Sequence, residues 1–235
     1  MELKRTIGSW TAAGMLTAAL VACGSGAEIP QNYGSARAPL QPQAFVELPL
    51  GSISPSGWLR EMLTSQRDGA TGHLDELYPL VMGPRNGWLG GDGDQWERGP
   101  YWMDGLVPLA YILQDSTLIA KARPWIEWTL ASQQEDGYFG PVTDYGSEPG
   151  LQRDNCRDWW PKMVMLKVLM QYHSATGDKR VIDFMTRYFH YQLAHLDQYP
   201  LDNWSFWARF RGGDNMMAVY WLYNITGDKT LLELG

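Results

Sequence analysis

One tetrapeptide, Thr-Gly-Asp-Lys, occurs twice in this chain, at residues 176–179 and at residues 226–229. Each copy follows an apolar run, and glycine followed by aspartate is typical of a helix C-cap joined to the N-cap of the next helix. A repeat of about this length made of two helices indicates a stacked or ring-closed array of helical hairpins. The sequence therefore predicts an all-α chain, with possible short extended pieces only around residues 138–142.

The two helices flanking the first copy differ in polarity. The segment 163–170 is apolar almost all round, which predicts a helix buried on most of its circumference. The helix starting near Asp178 is amphipathic. An earlier apolar pattern over 102–113, followed after a short turn by a helix opened by Asp115, predicts an antiparallel hairpin of two helices.

The N-terminal segment has the layout of a bacterial lipoprotein export signal. Lys4 and Arg5 precede an apolar stretch too short to span a bilayer, and residues 20–23 form a lipobox, Leu-Val-Ala-Cys. We expect residues 1–22 to be a signal peptide and Cys23 to be the lipidation site. Because Gly24 rather than Asp follows the cysteine, we expect an exported protein anchored at the outer membrane or periplasmic face.

Residues 23–44 are rich in Gly, Ser, Ala, Gln and Pro, the composition of a flexible tether, and we place the folded domain at 45–235. The final amphipathic helix, from Asp228, has little room before Gly235. Since such arrays bury each hairpin against the next, we expect the domain to be the N-terminal portion of a longer array of helical hairpins.

The net charge and the aromatic content limit the classes of molecule that the protein is expected to bind. With 19 Lys and Arg against 26 Asp and Glu, the formal net charge is −7, which argues against nucleic acid. The 12 Trp and 12 Tyr provide flat faces suited to sugar rings, although burial in a core explains many of them equally well.

The polar segment 90–102 is the first candidate site. Its glycines permit a turn beside three carboxylates and an arginine, and loops of this kind line clefts. Glycoside hydrolysis needs a pair of carboxyl groups, for which Glu97 is a candidate; a solvated turn or a calcium-like Asp-Gly-Asp loop is the alternative. The substrate-binding candidates here are Asp92, Asp94, Trp96 and Arg98.

A second candidate cluster precedes the buried inner helix. Asp158 is a possible catalytic carboxylate, Arg157 can bind a hydroxyl or carboxylate, and Trp159 and Trp160 can stack on a sugar. Equally, Asp158 can simply cap the helix while the tryptophans fill the core. The remaining substrate-binding candidates are Arg209, Asp214 and Asn215 before the next apolar helix, and Asp136 and Tyr138 in an intervening turn.

No metal site is predicted from the spacing of likely ligands. The four histidines are scattered, and neither they nor Cys156 show spacings such as His-Glu-x-x-His or Cys-x-x-Cys. Phosphate-loop and serine-hydrolase motifs are also missing from the sequence. We therefore predict no metal or other cofactor within these residues.

Several segments resemble the helical-toroid glycoside hydrolases typified by β-L-arabinofuranosidases. They are Gly57-Trp58-Leu59, residues 102–115, Gln134-Glu135-Asp136-Gly137-Tyr138 and residues 172–178, and the resemblance runs from about Leu48 to Gly235. It implies an (α/α)6 toroid that hydrolyses a terminal L-arabinofuranose or similar sugar of plant glycans.

The chain departs from that family at two points. Characterised members begin the inner helix with a His-Glu pair facing the sugar, where this chain has Arg157-Asp158-Trp159-Trp160. They also use a catalytic carboxylate and a zinc-binding cysteine cluster beyond the region of resemblance. Zinc is thus implied for a full-length relative, and the present chain is expected to end before the catalytic cluster and to lack activity alone.

Two other functions stay open at this point. A surface lipoprotein could bind an oligosaccharide or polysaccharide without cutting it. A different toroid enzyme, such as an unsaturated-uronide hydrolase or a polysaccharide lyase, would use Arg157, Arg209 and Arg211 to bind uronate carboxylates.

Overall fold

A computed structural model of the chain describes residues 36–235, so the predicted signal peptide and Cys23 lie outside the described residues. The described helices, besides a short 3-10 turn at Gly87–Leu89, are α1 (Gly57–Asp68), α2 (Ala70–Leu77), α3 (Pro79–Met82), α4 (Arg98–Leu113), α5 (Ser116–Ala131), α6 (Trp159–Thr176), α7 (Arg180–His195), α8 (Phe206–Phe210), α9 (Gly212–Thr226) and α10 (Thr230–Leu234).

These helices form two layers. The inner layer consists of α4, α6 and α9, with α6 packed between the other two, and the outer layer of α5, α7 and α10 follows the same order. Each inner helix packs on the outer helix that follows it. Over residues 36–235 the fold is all-helical without strands, which confirms the predicted helical-hairpin architecture and shows that residues 138–142 are not a strand.

Burial separates the layers as the apolar patterns predict. Helix α6 buries side chains on nearly all sides, from Trp159 through Leu169, whereas α7 buries one face containing Val181, Phe184 and Tyr188. Helix α1 is an exception, because Trp58, Leu59 and Met62 of its apolar face are exposed. No helix within residues 36–235 is long and apolar enough to cross a membrane.

The two Thr-Gly-Asp-Lys copies adopt the same geometry. Gly177 and Gly227 have φ of 69° and 73°, the left-handed conformation that ends α6 and α9. Asp178 then accepts a hydrogen bond from the Arg180 amide, and Asp228 accepts one from the Thr230 amide, both at 3.0 Å. The repeated motif therefore forms the turn of the α6–α7 hairpin and of the α9–α10 hairpin.

The α4–α5 hairpin makes the same turn with different residues. Gln114 occupies the left-handed position with φ of 54°, and Asp115 caps α5 by accepting from the amides of Thr117 and Leu118. Glutamine stands here where the two motif copies have glycine, so sequence comparison did not reveal this turn as a third copy.

Residues 36–53 run across the end of the domain where the inner helices finish. Arg37 donates its backbone amide to Asn224 Oδ1, Tyr223 donates its hydroxyl to the Ala38 carbonyl, and the Leu50 amide donates to Ser174 Oγ. Residues 36–44, predicted as tether, thus lie against α9 within the described part of the chain. We call residues 36–53 the strap.

Candidate functional site

The inner helices α4 and α6 begin at the same end of the domain, because each is followed by an antiparallel outer helix. The segments before them, together with residues 199–211 before α9, bring most of the predicted site residues to this end. The strap crosses the opposite end, where Ser174 and Asn224 lie.

Asp158 joins the segments that precede α4, α6 and α8. Its Oδ2 accepts hydrogen bonds from Trp96 Nε1 at 2.8 Å and Ser205 Oγ at 2.5 Å, and its Oδ1 accepts from the Trp160 amide at 3.1 Å. The side chain has no exposed surface. Asp158 therefore caps α6 and positions its neighbours, and it does not contact a glycan directly as a catalytic carboxylate must.

An aromatic cluster made of Trp96, Tyr101, Trp160 and Trp207 lies beside Asp158. The Trp160 ring centroid lies 5.1 Å from that of Trp96, 5.9 Å from Tyr101 and 5.4 Å from Trp207. Trp160 also donates Nε1 to the Tyr101 hydroxyl at 3.3 Å. Tyr101 and Trp207 are 39% and 38% exposed, so the cluster offers aromatic faces to a ligand.

Glu97 is the N-cap residue of α4 and lies one helical turn before Tyr101. Its Oε2 is buried without a hydrogen-bond partner among the described residues. Burial raises the pKa of this carboxyl, and the nearby carboxylates of Asp94 and Asp158 act in the same direction against Arg98. A partly buried glutamate with a raised pKa has the property required of a general acid.

Three other candidates from the same loop have structural partners. Asp94 is buried, pairs with Arg98 and accepts from the Gln152 amide at 3.0 Å, while Arg98 also donates to the Gly150 carbonyl. Asp92 instead binds Arg85, whose guanidinium also binds Glu148. These contacts join the loop before α4 to the long loop before α6.

Tyr138, predicted as a substrate-binding residue, is buried in the core. Its hydroxyl donates toward the Pro141 and Cys156 carbonyls, at 2.6 and 3.2 Å. The ammonium of Lys162 lies 4.8 Å from the ring centroid and donates to the Cys156 and Asp158 carbonyls. Tyr138 and Lys162 thus support the turn before α6 from inside the core.

Arg157 and Trp159 face a pocket beside the aromatic cluster. The pocket has a volume of about 280 Å³ and is lined by Tyr138, Arg157, Trp159, Tyr191, Tyr199 and Trp204. Asp136, the other substrate-binding candidate in the turn that contains Tyr138, is exposed and accepts a hydrogen bond from the Tyr138 amide at 2.9 Å, which stabilises that turn.

The candidates before α9 are not brought to the aromatic cluster by any described contact. Arg209 is exposed and pairs with Asp202 at 3.1 Å. Asn215 is buried and donates to Gln192 Oε1 at 2.9 Å, and Asp214 lies in the first turn of α9.

A comparison with protein families decides the identity of the domain. A family model described as β-L-arabinofuranosidase, GH127 catalytic domain, matches residues 54–235. The chain belongs to this family. It is therefore a glycoside hydrolase of the arabinofuranosidase type with a carbohydrate substrate, which confirms the resemblance. Neither curated proteins nor solved structures gave a match.

The described residues do not fit the zinc site implied by the resemblance to β-L-arabinofuranosidases. Within residues 36–235 no group of three His, Cys, Asp or Glu side chains is placed to hold a metal ion. Burial and a hydrogen bond to Asp144 raise the pKa of Cys156 to about 12, so this thiol stays protonated.

Sequence reasoning did not select some residues that surround this site in the GH127 domain. Tyr101 lies four residues after Glu97, a spacing that brings side chains to the same helical face and could have identified it. Ser205 comes from a loop without a regular pattern, whereas Trp207, on a five-residue helix, belongs to the polar and aromatic cluster that the sequence indicates before α9. Their contact with Asp158 and Trp160 depends on the tertiary fold.

Proposed function

We propose that this GH127 domain removes a terminal β-L-arabinofuranose from plant-type glycans, with the sugar bound at the aromatic cluster and Glu97 acting as general acid. The observation that carries the proposal is Glu97 itself. It has a raised pKa, a buried and unpartnered carboxylate oxygen, and a position one turn from Tyr101.

The chemistry requires Glu97 to carry a proton, a state that its raised pKa favours. A protonated carboxyl can donate its proton to the glycosidic oxygen as the bond to the leaving group breaks. A water molecule supplies the hydroxyl that bonds to the anomeric carbon, and the proton that this water releases restores Glu97. Tyr101 and Trp207, which pack on the buried Trp160, are exposed and offer ring surface against which the apolar face of a sugar can stack. Asp158 keeps Trp96 and Trp160 in place.

The test is hydrolysis of a β-L-arabinofuranosyl disaccharide by the full-length wild-type protein, whose turnover must be measurable, and by its Glu97→Gln variant. Glutamine keeps the size of the side chain but cannot donate a carboxyl proton, so we expect kcat to fall at least 100-fold. Glu61→Gln, an exposed glutamate on α1, is the matched control and should retain wild-type kcat. Equal turnover by wild type and Glu97→Gln would remove Glu97 from the mechanism.

A second function, glycan binding without cleavage, is favoured by one specific observation. Glycoside hydrolysis commonly uses two carboxyl groups, and the two described carboxylates nearest Glu97, Asp94 and Asp158, are buried and engaged in hydrogen bonds. Equal affinity for the disaccharide and for its products, with no arabinose released, would support this function.

The proposed location is the outer membrane or periplasmic face of a bacterial membrane, through a lipid on Cys23. The support is the lipobox Leu20-Val21-Ala22-Cys23 after a charged and then apolar segment. Labelled palmitate should be incorporated into the wild-type chain in the membrane fraction. Cys23→Ala should abolish labelling, whereas Cys156→Ala should not; labelling of Cys23→Ala would contradict the proposal.

A further inference from the structure

The side chains of residues 157–160, at the turn before α6 and the start of that helix, point alternately to two different sites. Asp158 and Trp160 contact the aromatic cluster, whereas Arg157 and Trp159 line the neighbouring pocket. The pocket is therefore separated from the aromatic cluster by the backbone of this turn, and its function is a separate question.

Aromatic rings make up five of the six side chains that line the pocket. The Trp204 ring is stacked on Tyr199 with centroids 5.2 Å apart and meets Trp159 edge-on at 5.3 Å. Trp159 donates Nε1 to the Tyr199 carbonyl at 3.0 Å, which fixes the floor against the loop after α7. A volume of about 280 Å³ lies near the lower end of small-ligand sites and suits a single sugar ring.

Arg157 is the only charged side chain that lines the pocket. Its guanidinium lies 5.4 Å from the Tyr138 ring centroid and, within residues 36–235, it forms no ion pair. Three acidic side chains of the surrounding segments accept hydrogen bonds from other groups: Asp136 from the Tyr138 amide, Asp144 from the Cys156 amide, and Asp158 from Trp96 and Ser205.

The buried ammonium of Lys162 adds positive charge behind the pocket. It lies 4.8 Å from the centroid of the same Tyr138 ring and is fully enclosed. In a chain of net charge −7, a pocket lined by aromatic rings with an unpaired guanidinium and a second cation behind it is a local exception. Guanidinium binds carboxylate through two parallel hydrogen bonds, and aromatic faces bind sugar rings.

We propose that this pocket is a second carbohydrate-binding site that takes one acidic sugar, a uronate residue of the glycan, with its carboxylate on Arg157 and its ring against Tyr199 and Trp204. The site adds a specificity for acidic glycans to the hydrolase and does not take part in bond cleavage.

Calorimetric titration with trigalacturonate and with its methyl ester tests this site, because the two probes differ in the charge of their carboxyl groups. We expect the wild-type chain to bind the acid at least tenfold more tightly than the ester. Arg157→Gln should abolish that preference, Arg157→Lys should retain part of it, and Trp204→Ala should weaken binding of both probes. Arg60→Gln, an exposed arginine on α1, is the matched control and should behave as wild type.

A Trp207→Ala variant separates this proposal from the proposed arabinofuranosidase site. It should weaken binding of the β-L-arabinofuranosyl disaccharide and leave trigalacturonate affinity unchanged. Equal affinity for acid and ester, an unchanged preference in Arg157→Gln, loss of trigalacturonate binding in Trp207→Ala, or no binding of trigalacturonate by the wild-type chain would each overturn the acidic-sugar site.

Discussion

At the scale of single residues, Asp158 has the strongest structural role in the site. Its carboxylate accepts from three donors while fully buried, and truncation would leave the indole of Trp96 and the hydroxyl of Ser205 without an acceptor. We expect Asp158→Ala to lower the free energy of unfolding by roughly 3 kcal/mol. Ser205→Ala removes one donor and should cost only about 1 kcal/mol. Chemical denaturation measures both, and equal stability of Asp158→Ala and wild type would contradict this role.

Lys162 gives a prediction about pH. Burial lowers its pKa from 10.5 to about 8, so between these values the unfolded chain holds a proton that the folded chain has lost. Stability contributed by this group therefore increases as pH rises from about 8 to 10.5, by no more than about 3 kcal/mol.

Lys162→Met isolates that contribution from other groups that titrate at high pH. The difference in unfolding free energy, wild type minus Lys162→Met, should become more positive from pH 8 to pH 10.5 in denaturation curves. A difference that does not change with pH would show that Lys162 keeps its proton in the folded protein. Lys167→Met, a partly exposed lysine on the same helix, is the control.

The sequence predicted the roles of only some site residues, because some of these roles depend on local signals and others on the tertiary fold. Asp158 was correctly considered as a helix cap because Asp before an apolar helix is a local signal. That Arg157 and Trp160 point to different sites depends on the turn geometry and on the loop at 199–207, which no local pattern specifies.

At the scale of elements, the turns between paired helices are the best predicted features. Gly177 and Gly227 end helices in the left-handed conformation, and both Thr-Gly-Asp-Lys copies could be interpreted correctly because capping is encoded within four residues. The long loop 141–157 was not predictable in this way, since it is held by distant partners such as Gln95 and Arg85.

Gln114 provides a test of the left-handed position in these helix–helix turns. It adopts φ of 54°, a left-handed conformation that is sterically unfavourable for any residue with a Cβ but not for glycine. We expect Gln114→Gly to raise the free energy of unfolding by about 0.5–1 kcal/mol, while Gly177→Ala should lower it by about 1 kcal/mol. Thermal unfolding of both variants gives the comparison, and a destabilised Gln114→Gly would contradict it.

At the scale of the whole molecule, the strap connects the ends of α4, α6 and α9. Arg37 and Ala38 bond to α9, Leu50 bonds to α6, and Gly51 lies against the Tyr111 carbonyl of α4. Composition predicted residues 23–44 as a tether. It could not reveal the contacts of the strap, because the residues that the strap binds lie more than 120 positions further along the chain.

Two deletions test whether the strap stabilises the domain. Removal of residues 1–44 eliminates the contacts with α9 and the partly buried Leu40, and should lower Tm by about 4–8 °C, which corresponds to roughly 2 kcal/mol. Removal of residues 1–35 alone gives the reference Tm against which the longer deletion is compared. Equal Tm for the two deletions would show that residues 36–44 behave as tether.

The central claim is that the GH127 domain binds a terminal arabinofuranose at the aromatic cluster beside Glu97. Calorimetric titration of a β-L-arabinofuranosyl disaccharide into wild type, Trp207→Ala and Trp58→Ala tests it most directly. Trp58 is a matched control because it is 66% exposed on α1. We predict that Trp207→Ala weakens binding at least tenfold and that Trp58→Ala binds as wild type. Wild-type affinity in Trp207→Ala would contradict the claim.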